Sequence, residues 1–507
     1  MDIADLEDIE REECLRTPHT YCDSLLFADL TDKLEKISKT GIVEEKLGFI
    51  LSPELYQELH EKNESAYSII RLVIPDADKS RYNYGLKVKK LATLYIKDLG
   101  LSGLPEKRLK NFRDPTLHAS SGLGVVVGDF STILEDVLAP RCRKRSRDGF
   151  TVGDVNAELD KLAAAHSEAE KQQVISRFIK SCSAREHKWI CRIIFKDMKM
   201  GLGKERFFSK FHPDAPSFYD HCRNLKLVCS KLRNPNERFC ASLRVFQGCS
   251  PMLAKRLNSW KEVWNWFSLC KSSLKRRKKT ATTPLYNGNA SLCIEDKLDG
   301  DRILLHKKGD AVKLFTRNCI DYTNRYLKYM GGPAIKNVSC KECILDGEML
   351  LWDDRNQRFN EFGFLSSFIE HKRKSTENKS KAEDKQIQRN GVLTNDMSEM
   401  WPCYVVFDIL YVQHDGGKSH VNGNVMNEAL ATRKDLLSKL IRPIPNVFYT
   451  VPYKTLLSSQ PNSWQDIILE CMESVHLEKK EGLVLKNFGS PYILGESSRK
   501  SKYKRSI

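Results

Sequence analysis

One stretch of the chain leads an apolar run into a lysine, a carboxylate two residues later, a glycine and an arginine: Cys293-Ile294-Glu295-Asp296-Lys297-Leu298-Asp299-Gly300-Asp301-Arg302. Leu292, Cys293 and Ile294 suit a short buried strand, and Asp299-Gly300 is a turn signal. Lys297 is therefore expected where a strand gives way to a loop, with its amine free to reach a ligand. Lys-x-Asp-Gly alone is equally compatible with a plain strand and turn, so its meaning depends on the rest of the chain. Three further apolar runs end or break at ionic residues. Cys343–Leu351 is interrupted by Asp346 and Glu348, Tyr404–Val412 contains Asp408, and Glu481–Lys486 carries a charge at each end. Any one of these charges is readable as a satisfied structural group, but four such strands imply a shared site. Cations at one pocket hold phosphates. Glu348 and Glu481 there would hold a hard metal ion, most simply Mg²⁺.

The elements that must position these residues differ between the two halves. From Ser291 onward the texture is of strands joined by turns. Arg302–His306, Lys308-Gly309-Asp310 and Ala311–Phe315 read as a hairpin, followed by Arg317-Asn318. Ser463–His476 has an amphipathic helical pattern. The polar segment from His371 to about Met400 predicts a mobile insertion. Residues 25 to about 245 instead read as helices joined by short polar loops, with Arg147-Asp148-Gly149 as one loop and Thr151-Val152-Gly153-Asp154 starting the next helix. Gly248-Cys249-Ser250-Pro251 punctuates the joint, giving expected domains of 1–247 and 248–507.

Within the helical half, Ala184–Gly201 places Ile190, Ile193, Ile194 and Met198 on one face and Arg185, Lys188, Arg192, Lys196 and Lys199 on the other, within about 80° by helix geometry. Gly201 is expected as the C-cap. Five cations with no acid on a narrow face repel one another unless an anion lies against them, and a phosphate backbone is the obvious candidate. The alternative is an ordinary solvated face. The basic runs Arg141–Arg147 and Lys275–Lys279 are each readable as a nuclear import signal, a DNA contact or a solvated run.

The bulk numbers agree with a polyanionic partner. The 507 residues carry a formal charge of +17, which favours nucleic acid or an acidic surface. No eighteen-residue apolar run is present, so no membrane span is expected. The N-terminal MDIADLEDIEREE is acidic where a secretory signal would be basic and then apolar. The 16 cysteines are scattered through a large chain and read as reduced intracellular thiols. Cys340-Lys341-Glu342-Cys343 lacks the second ligand pair a zinc site needs.

With these residues in view, the chain resembles the ATP-dependent DNA ligases of the covalent nucleotidyltransferase superfamily. Lys297-Leu298-Asp299-Gly300, Leu345-Asp346-Gly347-Glu348, Val406-Phe407-Asp408 and Glu481-Gly482-Leu483-Val484-Leu485-Lys486 look like that group's motifs I, III, IIIa and IV, in order. Gly128-Asp129-Phe130, Val137–Cys142, Lys188-Trp189-Ile190, Lys196–Gly201 and Ser250–Ala254 resemble eukaryotic DNA ligase IV. The resemblance implies a multidomain protein: an all-α DNA-binding domain followed by an α+β nucleotidyltransferase (ATP-grasp-like ligase adenylation) domain. It implies ATP and Mg²⁺ as cofactors, double-stranded DNA with nicks or ends as substrate, a role in nonhomologous end joining, and a nuclear location.

By the same resemblance Lys297 is the nucleophile that takes AMP from ATP. A free lysine has a pKa near ~10.4 and is almost wholly protonated. Lowering it by about three units corresponds to roughly 4 kcal/mol, and Arg302, Lys486 and Lys502 are the expected neighbours that would do so. Glu295, Asp296 and Leu298 are expected to line the nucleotide pocket, Phe407 to stack on adenine, and Arg317 to lie near the ribose or nick. Arg302, Glu348, Glu481, Lys486 and Lys502 complete the ATP-binding set, and Arg185, Lys188, Arg192, Lys196 and Lys199 the DNA-binding set. Three departures stand out. Cys319 replaces the family's usual glycine after Arg317-Asn318. Only Lys502-Tyr503-Lys504 matches motif V, without its tryptophan. The OB-fold domain with motif VI and the BRCT repeats have no counterpart before Ile507, so weak sealing and no binding of the family's scaffold partner are expected. Two other readings remain: a DNA-binding fragment that occupies ends without sealing them, and an mRNA capping guanylyltransferase, which the basic helical half disfavours.

Overall fold

The computed structural model describes residues 20–118, 125–142, 149–234, 238, 242–266, 268, 290–381, 399–414, 422–457, 463–478, 480–495 and 504–506. They fall into two compact units, Met1–Tyr219 with Arg223–Ala241 and Asp220–Cys222 with Ser242–Ile507. The break comes at Ser242, slightly ahead of the punctuation at Gly248.

Unit 1 is helical. Its helices include α1 (Phe27–Lys39), α2 (Phe130–Leu138), α3 (Val152–Ala164), α4 (Glu168–Ser181) and α5 (Ala184–Phe195). The starts are written in the sequence. Thr151, Ser167 and Ser183 each accept from the backbone N–H three residues on, and Asp154, Glu170 and Glu186 reach back to complete capping boxes. The apolar stripes meet in a core that includes Phe27, Leu34, Ile133, Leu159, Phe178 and Trp189, all fully buried.

The basic helix ends earlier than its sequence pattern suggests. α5 stops at Phe195, and Lys196 is the cap in the left-handed region at φ 54°, its N–H donating back to the Arg192 and Ile193 carbonyls. Lys199 and Gly201 are also left-handed, at φ 50° and 62°, so residues 196–201 turn back on themselves and Gly201 is not the cap of this helix.

Unit 2 is built on two sheets. The first runs β1-β12-β11-β2-β10, formed by β1 (Lys255–Arg256), β2 (Ala290–Asp296), β10 (Tyr453–Leu457), β11 (Leu483–Asn487) and β12 (Lys504–Ser506). The second runs β4-β3-β5-β7-β8, formed by β3 (Asp301–Lys308), β4 (Ala311–Thr316), β5 (Glu342–Asp353), β7 (Met400–Gln413) and β8 (Gly423–Asn424), with β6 (Arg358–Phe359) beside β5 and β9 (Phe448–Thr450) beside β7. Helices α6 (Thr323–Asn337), α7 (Phe364–Lys381) and α8 (Leu430–Leu440) pack on the second sheet, through a core that includes Tyr326, Met330, Phe368, Leu437, Leu345 and Tyr404. Helix α9 (Trp464–Leu477) covers the first sheet through Trp464, Ile468 and Val475. The hairpin and the apolar strands fall where the alternation places them.

The insertion expected from His371 is not irregular at its start. α7 continues to Lys381: Leu365, Phe368 and Ile369 anchor its first turns in the core, and Glu370, Lys372, Arg373 and Lys374 after them are good helix formers. Residues 382–398 lie outside the described ones, as do most of the basic run 141–147 and all of 275–279. Among the described residues no helix is long and apolar enough to cross a membrane.

Candidate functional site

The antiparallel register of the first sheet brings two of the charged strand ends together. β11 pairs Leu483 with Asp296 and Val484 with Glu295. The next residues therefore meet: the Lys297 N–H donates to the Gly482 carbonyl at 2.8 Å, and the Lys297 ammonium contacts the Glu481 carboxylate. In the second sheet β3 and β5 pair Arg302 with Glu348 and Ile303 with Gly347. Two glycines permit this closeness. A Cβ on Gly300 would fall onto the Met349 carbonyl, and one on Gly347 would lie 2.6 Å from the Val405 carbonyl and 2.7 Å from the Tyr404 ring.

The result is a cleft of about 310 Å³. Glu295, Asp296, Lys297, Leu298, Arg302, Arg317, Glu348, Phe407, Glu481 and Lys486, each singled out from the sequence, all line it. Lys502 lies outside the described residues. Leu253, Ala254, Val451 and Val484 add apolar wall.

Beneath the cleft lies a layer of buried ion pairs. Arg302 donates to both oxygens of Asp346 at 3.0 and 2.6 Å, and the Tyr492 hydroxyl donates to the same carboxylate at 2.6 Å. Arg433 holds both oxygens of Asp408 at 2.7 and 3.1 Å. Glu295 is gripped by Lys434 and Lys486, each at 2.5 Å. Arg302 and Lys486 also lie over the Phe407 ring, at 5.2 and 4.9 Å from its centroid, which fixes the ring's orientation. Asp346 and Asp408 are thus the supports of the strand residues that face the cleft.

These pairings revise the electrostatics expected at Lys297. Arg302 and Lys486 are committed to Asp346 and Glu295, so neither is the cation that depresses the lysine. Burial is the main cause that holds the Lys297 ammonium below the ordinary lysine value; Asp299 and Glu348 push back, and Arg256 adds to the depression. Arg256, at the end of β1, belongs to no motif. Its signal was only its place two residues after Ala254 in an extended run.

Arg433 and Lys434 were also missed. Their positions carried a signal: on α8 the buried residues are Leu430, Ala431, Arg433, Lys434, Leu436, Leu437 and Leu440, so two cations stand on the apolar stripe of an amphipathic helix. Cations on such a stripe need buried acids. Cys319 takes φ 60°, a conformation that glycine adopts at less cost, and its thiol donates to the Cys249 carbonyl at 3.0 Å.

The carboxylates of Asp299, Glu348 and Glu481 share the cleft with Lys297. Among the described residues no three His, Cys, Asp or Glu side chains are grouped as a metal site, so a Mg²⁺ ion here would rest on two carboxylates, Glu348 and Glu481, and its own waters.

In unit 1 the basic stripe of α5 is not free of acids. They come from other helices. Lys188 is buried and pairs with Glu35 at 2.5 Å and Glu135 at 3.2 Å; Arg192 is buried and pairs with Asp129 at 3.3 Å; Arg185 pairs with Asp32 at 3.2 Å. The stripe is therefore neither an open phosphate track nor a solvated face along its length. Lys188 and Arg192 are core ion pairs. Lys199, 43% exposed at its side chain though 3.5 Å from Asp129, keeps its head at the surface. Lys196 shares with Lys199, Lys87 and Arg113 the lining of a groove of about 630 Å³.

Comparison with known proteins matches this arrangement. The family described as "DNA ligase N terminus" matches residues 24–212, and that described as "ATP dependent DNA ligase domain" matches residues 251–504. A "DNA ligase 4" of Arabidopsis thaliana is 32% identical over 444 residues, 85% of this chain and 32% of the relative. "DNA ligase 4" of Dictyostelium discoideum is 29% identical over 96% of this chain and 43% of the relative, and that of Homo sapiens 29% over 93% and 47%. The chain thus spans between about a third and a half of the length of these curated relatives. With a family match over each unit and the second covering half of the residues, the chain belongs to the ATP-dependent DNA ligase family.

Proposed function

We propose that this chain carries the nucleotide-transfer half of a DNA ligase of the ligase 4 type, with Lys297 as the nucleophile and unit 1 as its DNA-binding domain. The observation that carries this reading is the position of Lys297: a partly buried amine at a strand end, in contact with Glu481, in a cleft with an aromatic ring at one wall and committed cations beneath. ATP is the substrate that fits, its base against Phe407, Val451 and Val484 and its phosphates toward Lys297 and Arg317.

Lysine attacks only as the free amine. Burial favours that form, and the Glu481 carboxylate stands where it can hold the ammonium and then take its proton. The Lys297 Nζ forms a bond to the α-phosphorus while the bond from that phosphorus to the bridging oxygen breaks, and pyrophosphate leaves. Glu348 and Glu481 would hold Mg²⁺, and the ion would supply charge neutralisation for the phosphates. The AMP then passes to a 5′-phosphate of nicked DNA, and a 3′-hydroxyl displaces it to close the strand. The similarity to proteins named DNA ligase 4 supports a role in joining DNA strands, and the joining of double-strand breaks in the nucleus is part of the proposal that follows from the resemblance.

The test is a chase. The chain is labelled from ATP carrying ³²P at the α-phosphate, with Mg²⁺, freed of ATP and given a nicked duplex whose 3′ end lacks its hydroxyl, so that the transferred AMP is not displaced. Label appearing on the 5′-phosphate of the nick is the expected result. Label that stays on the protein, or never forms, contradicts it.

A further inference from the structure

Glu295 has surroundings that the transfer chemistry does not call for. It lines the cleft yet is 4% exposed, and a lysine ammonium lies 2.5 Å from each of its oxygens. Lys486 comes from the adjacent strand β11 and itself lines the cleft. Lys434 comes from α8, in the layer packed on the other sheet, and is not among the cleft-lining residues. Its ammonium lies 5.1 Å from the ring centroid of Tyr453, and Tyr453 is the cross-strand partner of Glu295 in β10. Lys434 is therefore fixed on two sides and reaches the cleft through Glu295.

We propose that Lys434 is a positioning residue that sets the base specificity of the cleft: by pinning Glu295 Oε1 it turns the lone pair left on Oε2 toward the base, selecting a purine with a 6-amino group over one with a 6-oxo group. An ionised carboxylate only accepts hydrogen bonds. Glu295 Oε1 accepts from Lys434 and from the Cys293 thiol at 3.7 Å, whereas Oε2 meets Lys486 and keeps a lone pair. Leu253, Ala254, Phe407, Val451 and Val484 give the cleft its apolar and aromatic wall, and of the carboxylates that line it, Asp296, Asp299, Glu348 and Glu481 besides Glu295, only Glu295 is buried. It satisfies the amino group of adenine and repels the oxygen of guanine. A site built to meet a donor discriminates strongly, because the wrong ligand leaves its buried group unpaired.

The two lysines also set the protonation state. Burial pushes the Glu295 carboxyl up, and Lys434, then Lys486, outweigh it and hold the group below the usual glutamate value. With Lys434 gone, burial works against a single cation and a protonated carboxyl becomes accessible. That form also donates, and would accept guanine. The consequence has a definite sign: loss of Lys434 raises the use of GTP as well as lowering the use of ATP.

This inference rests on the nucleotide-transfer reading above, and one experiment separates the two. The intact chain and its K434M, K434Q and K434R variants are incubated with Mg²⁺ and either ATP or GTP carrying ³²P at the α-phosphate, and covalent labelling rates are measured. The wild-type chain is expected to favour ATP. K434M and K434Q are expected to lower the ATP:GTP ratio by at least about tenfold, with GTP labelling rising, while K434R keeps the ratio. K434Q retains a hydrogen-bond donor and the packing, so it serves where K434M does not fold. A folded K434M or K434Q that labels more slowly with both nucleotides at an unchanged ratio overturns the proposal. No label from either nucleotide on the wild-type chain would instead remove the reading on which it rests.

Discussion

Arg433 and Asp408, both almost fully buried, show how much a single side chain can be asked to carry in this domain. A buried ion pair adds little net stability, but breaking it leaves an uncompensated charge. Replacing Arg433 with Leu is expected to cost roughly 3–5 kcal/mol in urea unfolding, and a second change of Asp408 to Asn to recover part of that loss; equal stability of the single variant and wild type would show that Asp408 finds water or another cation. The same residue scale shows what was readable beforehand. Lys297, Glu348, Glu481 and Lys486 end or break apolar strands, and several such strands together point to a site, while Phe407 is legible only through the resemblance. Their supports were harder to see. Arg433 and Lys434 lie on a helix far from the motifs in sequence, and their partners Asp408 and Glu295 appear only once two layers are packed. Arg302 lines the cleft, but its acid, Asp346, is a register partner's neighbour and not a sequence neighbour.

At the scale of elements, the strands were legible because alternation and burial act locally, while the end of α5 was not. Nothing in Phe195-Lys196-Asp197 announces a stop; the left-handed turn at Lys196 is settled by tertiary packing. The carboxylates facing α5 come from Glu35 on α1, Glu135 on α2 and Asp129 at the start of α2, which a single-helix reading cannot include. Lys188→Met is therefore expected to destabilise unit 1 through Glu35 rather than to weaken DNA binding; loss of DNA affinity with unchanged melting would contradict this. The β3–β4 hairpin gives a pH prediction. His306 is wholly buried, its Nδ1 accepts from the Phe246 N–H at 3.0 Å, and burial, helped by Lys313, pushes its pKa down to about 3. The unfolded chain takes up the proton near ~6.5. Below that pH the unfolded state binds more protons, so stability present at neutral pH falls as pH drops toward the folded value, by up to about 1.4 kcal/mol per unit. His306→Gln is expected to flatten the fall between about pH 6 and 4, measured by urea unfolding at each pH. An unchanged slope would assign the acid sensitivity to other groups.

At the scale of the whole molecule, the charge of +17 is the feature that the interior pairs do not consume. It was legible from composition alone, but which cations carry it outward was not, since Lys188 and Arg192 are spent inside. Lys196 and Lys199 remain as candidates for phosphate contact. DNA affinity is expected to be insensitive to sequence and to fall with salt at a log–log slope near ~0.9 per neutralised phosphate. Replacing Lys196 and Lys199 with Ala should flatten that slope by about one each, and an unchanged slope would place the phosphate contacts elsewhere. Of the two tasks proposed for the two units, binding a polyanion and transferring a nucleotide, the second is tested most directly by locating the covalent product. The chain is incubated with ATP and Mg²⁺, digested and mapped by mass spectrometry. One AMP on the peptide that contains Lys297, absent from the Lys297→Arg variant because a guanidinium stays protonated and does not attack, is the expected result. AMP on any other residue, or its persistence in the Lys297→Arg variant, would contradict it.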